Sequence, residues 1–302
     1  MSYRAETINI SILLPFIIRM IKDILKSMRP HQWYKNLIIF VCIIFSLNYF
    51  NLQMWITTIS AFIVFCLLSG AQYIINDILD KEKDIHHPTK KNRPIASGKL
   101  KISHAIVASS LFLALATIWA YLINWQFLIV GIGYFILSLS YSLYLKNLVV
   151  VDVLTISIGF VLRATAGCVA INVFISPWLI ICTFLAALFL ALGKRRHELI
   201  LLDDKANKHR KSLDGVSPQM LDQMITIVTA ALIMSYSLYT FLAENILMMV
   251  TIPITIYGTF RYLFLIHSKN IGGEPEMLFK DKSMITSMVV WGITVILIFI
   301  IG

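Results

Sequence analysis

Residues 76–84 read NDILDKEKD and set three carboxylates, Asp77, Asp80 and Asp84, beside the side-chain amide of Asn76. At positions i, i+3 and i+7 the aspartates fall on one face of a helix. Carboxylates held that close repel one another unless a cation joins them. Hard oxygen donors suit Mg2+, which completes its shell with water and phosphate oxygens. The pattern therefore predicts a metal site at Asp77, Asp80 and Asp84, open to a soluble diphosphate. The competing reading is a solvated helix end of alternating charge, to which Lys81, Glu82 and Lys83 belong.

Cations follow at once. HHPTKKNRPIASG, residues 86–98, supplies Lys90, Lys91 and Arg93, with Pro88 and Pro94 stiffening the turn. Beside a metal diphosphate they would neutralise its remaining charge; the two lysines also serve as ordinary markers of the inner membrane face. His86 and His87 are adjacent and point apart, which makes them a poor metal pair. A second basic run, LGKRRHEL at 192–199, carries Lys194, Arg195, Arg196 and Glu198. It reads either as a cationic pocket for a phosphate group or as a Lys194–Glu198 helix pair whose neighbouring cations suit the helix dipole.

Further charge and hydroxyls stand at span ends, and one arginine lies within a span. YSLYLK places Tyr141 and Lys146 before Asp152, and Arg163 follows eleven residues later on the same helical face. Charges inside a membrane face a cavity or a partner, so Arg163 is a candidate phosphate ligand, with an ion pair across helices as the alternative. RPHQWYKN brings Arg29, His31, Trp33, Lys35 and Asn36 to the entrance of the first apolar run. Trp and Lys at such a place are also ordinary interface anchors.

These residues must be positioned by helices. The 302-residue chain is 58% hydrophobic and 14% charged, with a mean hydropathy of +0.80. That composition excludes an ordinary soluble domain and predicts an all-α polytopic membrane protein, because lipid leaves no partner for an unpaired backbone. About nine spans are predicted, at 37–54, 57–76, 103–122, 125–143, 149–171, 177–193, 222–242, 246–265 and 284–301, each near the ~20 residues needed to cross. Residues 8–28 are apolar but interrupted by Arg19, Lys22 and Asp23. They lack the order of a secretory signal and read as an amphipathic helix in the membrane interface, with a tenth span as the alternative. The chain thus divides into an interfacial segment, 1–28, and a transmembrane catalytic domain, 29–302.

Every second connection is basic and the others, near 55, 124, 174 and 244, carry no Lys or Arg. This positive-inside pattern puts the N-terminus and both long loops in the cytoplasm. The net charge of +10 thereby reports orientation and attraction to anionic lipid, not nucleic acid binding. Cys42, Cys66, Cys168 and Cys182 all lie in apolar runs without metal-ligand spacing, so buried, inert thiols are expected and no disulfide framework.

The stretch NDILDKEKD matches the pattern NDxxDxxxD late in the second span, and in this respect the chain resembles the UbiA prenyltransferase superfamily. RPHQWYKN, HHPTKKNRPIASG, YSLYLK, DVLTISIGFVLRATAG, SPWL, LALGKRRHEL and GGEPE at 272–276 narrow the resemblance to its phosphoribosyltransferase branch, over roughly residues 29–282. The resemblance implies a helical bundle in a bacterial-type inner membrane, with a cytoplasm-facing cavity and a lateral opening to lipid. It implies transfer of 5-phosphoribose from phosphoribosyl diphosphate (PRPP) to a polyprenyl phosphate with Mg2+, with Asn76, Asp77, Asp80 and Asp84 holding metal and diphosphate. Aromatic prenyltransferases of the superfamily carry a second aspartate motif after the sixth span; here that place reads KRRHE. Extra positive charge there suits a donor 5-phosphate and an anionic lipid phosphate. The remaining alternatives are an aromatic prenyltransferase using a prenyl diphosphate and a lipid or anion transporter. Nothing in the sequence excludes a homo-oligomer.

Overall fold

Long runs of Leu, Ile, Val and Phe without water for their backbone must close their hydrogen bonds within the segment, and among its described residues the computed structural model contains helices, their connections and no strand. The described residues are 10–48, 50–202, 211–213, 215–243, 245–268 and 280–301. The helices are α1 Ile10–Ser27, α2 Val41–Phe45, α3 Leu52–Leu79, α4 Lys81–Ile85, α5 Ile102–Ile123, α6 Trp125–Leu143, α7 Val151–Ala170, α8 Pro177–Leu202, α9 Pro218–Leu242, α10 Ile252–Ser268 and α11 Lys282–Ile301. A 3-10 helix, Pro30–Phe40, leads into α2, and another, Ile246–Thr251, leads into α10. Among the described residues eight helices are long and apolar enough to cross a membrane.

The expected first span, 37–54, is the point of departure. Residues 30–45 form the 3-10 segment and the five-residue α2, after which the chain turns. Asparagines cause the turn: Asn48 Nδ2 donates to the Ser46 carbonyl at 2.8 Å, and Asn51 Oδ1 caps α3 by accepting from the Met54 N–H at 3.1 Å. Residues from 52 onward therefore belong to α3, which at 28 residues is about 42 Å long.

The two largest apolar cores span most of the bundle. One joins the 3-10 segment to α3, α5, α6 and α7 through residues such as Ile39, Phe65, Leu68, Phe127 and Tyr134. The other joins α7 to α8, α9 and α10 through Val153, Phe189, Leu192, Ile225 and Tyr262. Outward faces carry exposed Leu111, Leu115, Ile118, Val289 and Leu297, as a lipid-facing surface requires.

The irregular segment 30–45 is fastened to α7 at three successive levels. Arg163 Nε donates to Asn36 Oδ1 at 2.8 Å. Gly167 lies so close to Ile39 that an added Cβ would collide with its carbonyl oxygen. Cys42 and Cys168 are joined by a disulfide, with their Cα atoms 5.0 Å apart. This bond overturns the expectation of four inert thiols; Cys66 and Cys182 alone are free among the described residues. Spacing along the sequence could not reveal it, because the partners are 126 residues apart and meet only where Gly167 lets two backbones approach.

Candidate active site

Ion pairs gather at one end of the bundle, the end of the long basic connections. The helix of the aspartate motif does not run straight through it. α3 stops at Leu79, Asp80 takes φ −92°, ψ 4°, and the short α4 resumes at Lys81. The three carboxylates are consequently not on one face, as the spacing predicted. Asp77 and Asp84, both buried, share one arginine, and the half-buried Asp80 pairs with a different cation.

Arg93 sits between the first two: its Nη1 lies 3.1 Å from Asp77 Oδ1 and 2.5 Å from Asp84 Oδ2. Arg29 Nη2 adds a contact of 2.5 Å to Asp77 Oδ1, and its guanidinium lies 4.8 Å from the centre of the Tyr73 ring. Asp80 pairs with Lys146, whose Nζ is 3.1 and 3.2 Å from its two oxygens. The repulsion among the aspartates is thus relieved by three cations from three different segments, residues 29, 93 and 146. Arg29 and Tyr73 were not singled out as ligands from sequence; the signal for Arg29 was its place at the mouth of the first apolar run.

The seam between α3 and α6 runs below this cluster. Gln72, one turn before Asn76, donates from Nε2 to the Ser138 carbonyl at 3.0 Å and lies 3.2 Å from Ser142 Oγ. A carbonyl accepts only, so the amide orientation is fixed and Gln72 Oε1 is left buried without a hydrogen-bond partner. Tyr141 belongs to the same stretch of α6 and is close enough to Arg195 to interact with it electrostatically.

The KRRHE run proves to be wired into the bundle. Arg195 is buried and donates from Nε to Asp152 Oδ2 at 2.8 Å and from Nη1 to Glu198 Oε2 at 2.7 Å. Ser212 Oγ adds a bond to the same Asp152 oxygen at 3.1 Å. Arg196 pairs with Asp222 of α9 at 2.5 Å, and His267 Nε2 stands 3.3 Å from the same carboxylate. Asp152, anticipated beside Arg163, pairs with Arg195 instead. Lys194 is half-buried at the same level. The positive run is therefore largely balanced by Glu198 within it and by Asp152 and Asp222 from α7 and α9, two partners too distant in sequence for spacing to assign.

Arg163 lies apart from both clusters, about 16 Å along α7 from Asp152. Beyond Asn36, it donates from Nη2 to the Tyr134 hydroxyl at 2.6 Å and from Nη1 to the Gly159 carbonyl at 3.0 Å. Its guanidinium rests 4.5 Å from the Tyr134 ring centre. This is a buried cation satisfied by neutral partners, so the structure does not bring it to the aspartates. Lys35 Nζ lies 5.9 Å from the centre of the neighbouring Tyr34 ring. Lys90 and Lys91 are exposed, and His87 Nδ1 accepts from the Thr89 and Lys90 N–H groups as a turn cap. GGEPE at 272–276 lies outside the described residues.

A metal fits the first cluster on its donor chemistry. Asn76, Asp77, Asp80 and Asp84 offer only oxygen as anionic or carbonyl donors, and the place between Asp77 and Asp84 already holds a cationic nitrogen. Among the described residues no three His, Cys, Asp or Glu side chains enclose an ion by themselves. A Mg2+ here would bind one or two carboxylates and take its other ligands from substrate and water.

Further into the membrane a cavity of about 1050 Å3 opens between residues 38–48 and α7 to α11. Its wall is almost wholly apolar, with Ile44, Phe45, Phe160, Leu179, Leu190 and Trp291 among its residues.

The chain matches the UbiA prenyltransferase family across residues 37–280. A decaprenyl-phosphate phosphoribosyltransferase of Corynebacterium glutamicum is 33% identical over 278 residues, covering 88% of this chain and 83% of the relative. Its counterpart in Mycolicibacterium smegmatis is 31% identical over 290 residues, covering 90% and 91%. The solved structure of a UbiA homolog from Archaeoglobus fulgidus bound to DMAPP and Mg2+ has a TM-score of 0.71 at 22% identity, covering 91% of this chain and 99% of that one.

Proposed function

The chain is a membrane-embedded transferase of the UbiA prenyltransferase family, and we propose that it moves 5-phosphoribose from PRPP to a polyprenyl phosphate of decaprenyl type. The site lies at the cytoplasmic face of a bacterial-type inner membrane, and the product feeds lipid-linked sugar synthesis for the cell envelope. The observation that carries this reading is Arg93 between Asp77 and Asp84. Carboxylates and cations alternate there at a scale that suits a metal-bound diphosphate.

The diphosphate of PRPP binds at the aspartate end, where Arg29, Arg93 and Lys146 exchange part of their carboxylate contacts for phosphate oxygens. One or two carboxylates among Asp77, Asp80 and Asp84, with Asn76 alongside, would hold Mg2+, which would supply charge neutralisation of the diphosphate. A phosphate oxygen of the lipid forms the new bond to the anomeric carbon, and the bond from that carbon to the diphosphate breaks, the diphosphate taking the electron pair. The ionised acceptor needs no general base. Arg29, Arg93 and Lys146 counter the charge that grows on the leaving group. Gln72 Oε1, a buried acceptor without a donor, provides a place for a ribose hydroxyl in the seam below Asn76. Lys35, Tyr141 and the half-buried part of the Lys194–Glu198 run border the acceptor phosphate, and the apolar cavity encloses the first part of the isoprenoid.

The test is direct. Purified protein is incubated with labelled PRPP, Mg2+ and a polyprenyl phosphate, or with labelled prenyl diphosphate and an aromatic acceptor, and the lipid product is identified by mass spectrometry. A phosphoribosylated lipid from the first mixture alone is expected. Product from the second alone would replace this reading with aromatic prenyl transfer.

A further inference from the structure

The cavity would be shapeless if its wall were free to move. Segment 38–48 is short and irregular, and it supplies several of the lining residues. One side of it is pinned to α7 by the Cys42–Cys168 bond. The other side ends in Phe45, which crosses to α9 and α11. The Phe45 ring centre is 6.1 Å from that of Tyr239, 6.4 Å from Trp291 and 5.6 Å from Phe299. The surface that Phe45 meets is itself held rigid by polar bonds. Trp291 Nε1 donates to the Tyr236 hydroxyl at 2.8 Å, and that hydroxyl is 2.7 Å from Thr251 Oγ1. So α2 bridges the two sides of the cavity, covalently fixed at one end and packed into an aromatic cluster at the other.

We propose that α2 is an end-stop for the isoprenoid tail of the acceptor and that Phe45 sets how much tail the cavity encloses. The inference rests on the transfer reading above and extends it to the choice of acceptor. A rigid aromatic end discriminates because apolar interiors are close-packed and tolerate neither a void nor an overfilled site. The phenyl ring of Phe45 occupies about the space of a single isoprene unit. Its removal lets a tail penetrate further by that length. Gly292 lines the same cavity, and a Cβ there meets nothing within 4 Å. A leucine at 292 therefore fills the space and shortens the enclosed tail. The disulfide acts through Phe45: with Cys42 released from Cys168, the stop loses its fixed end and discrimination by length flattens.

The experiment uses the full chain in detergent or nanodiscs with PRPP and polyprenyl phosphates of graded length. Phe45→Ala is expected to move the preferred acceptor toward longer tails and Gly292→Leu toward shorter ones. In both, the KM for PRPP should stay within about twofold, since only acceptor contacts change. Cys42→Ser/Cys168→Ser is expected to lower the ratio of KM values between short and long acceptors severalfold. Treating the wild type with a dithiol reductant should do the same, the reductant being oxidised to its own disulfide as the two protein thiols form, while the double variant no longer responds. Alkylation of denatured protein should count two thiols before reduction and four after. Four thiols before reduction, or an unchanged length profile in Phe45→Ala and Gly292→Leu while product still forms, overturns the proposal. If no transfer from PRPP occurs at all, native mass spectrometry of the bound polyprenyl phosphates reads the same length profile, and the end-stop is judged apart from the reaction.

Discussion

Two clusters of charge at the same end of the bundle are built from similar residues and put to different uses. Around Asp77, Asp80 and Asp84 the cations come from three separate segments and are each about one-fifth exposed, at 21% for Arg29 and 23% for Arg93 and Lys146. Around Arg195 and Asp152 both partners are at most 4% exposed, and a serine adds a further bond. Asp77 and Asp84 are themselves buried, but cations that reach water can turn from a carboxylate to an incoming anion at smaller cost than enclosed ones. Where both partners are enclosed, the stranded charge is left without solvent. On the proposed reading the first cluster is opened by an anion with its metal, whereas the second ties α7 to α8. A basic sequence run is a poor measure of free positive charge.

The strongest way to break this contrast is at Asp77. Asp77→Asn keeps the shape of the side chain and removes its charge, and the loss in kcat/KM is expected to be about 10²–10³-fold, the scale for one preorganised electrostatic contact. Circular dichroism and the unfolding temperature of the variant check that the bundle is intact. Near wild-type turnover in folded Asp77→Asn protein would remove the first cluster from the reaction.

The second cluster is separated by a double-variant cycle. Arg195→Met alone strands the buried Asp152 carboxylate, and a destabilisation of about 3–5 kcal/mol is expected. Asp152→Leu with Arg195→Met removes both charges and should restore most of that stability, read as the thermal midpoint in detergent. If Arg195 serves the structure, activity returns with the fold. A double variant as stable as wild type but without transfer would move Arg195 into the phosphate site.

What could be read in the sequence follows the reach of each signal. The helical class and most spans rest on local periodicity and stand in the structure; the aspartate spacing brought Asp77 and Asp84 to one arginine but not Asp80. Signals that depend on distant partners were out of reach. Asp152 and Arg195 are 43 residues apart, and helical phase alone suggested Arg163, which instead finds Asn36 and Tyr134. The disulfide needs two backbones to meet at Gly167, which no motif encodes. Composition also overstated the first span: residues 37–54 are apolar enough, but Asn48 and Asn51 redirect the backbone by capping.

Within the first cluster, a smaller substitution asks whether shape matters as well as charge. Arg93→Lys keeps the positive charge but not the planar fork that spans two carboxylates. The expected loss is about tenfold in kcat/KM, mostly in the KM for PRPP. Steady-state kinetics at saturating acceptor measures it. No loss would mean that the position between Asp77 and Asp84 needs only a point charge.

The smallest effect is expected next door. Lys90 and Lys91 lie within three residues of Arg93 and share its sign, but both are exposed, and exposed charges are worth little because water and salt screen them. Lys90→Ala/Lys91→Ala should change kcat/KM by about twofold or less at physiological ionic strength. At low salt the double variant should fall further behind, since an exposed cation then steers a multiply charged donor over a longer range. A salt series separates the outcomes: a deficit that persists undiminished at high salt would mean that one of these lysines touches the bound diphosphate, and the line between exchangeable and solvated charge would have to be drawn one turn further out.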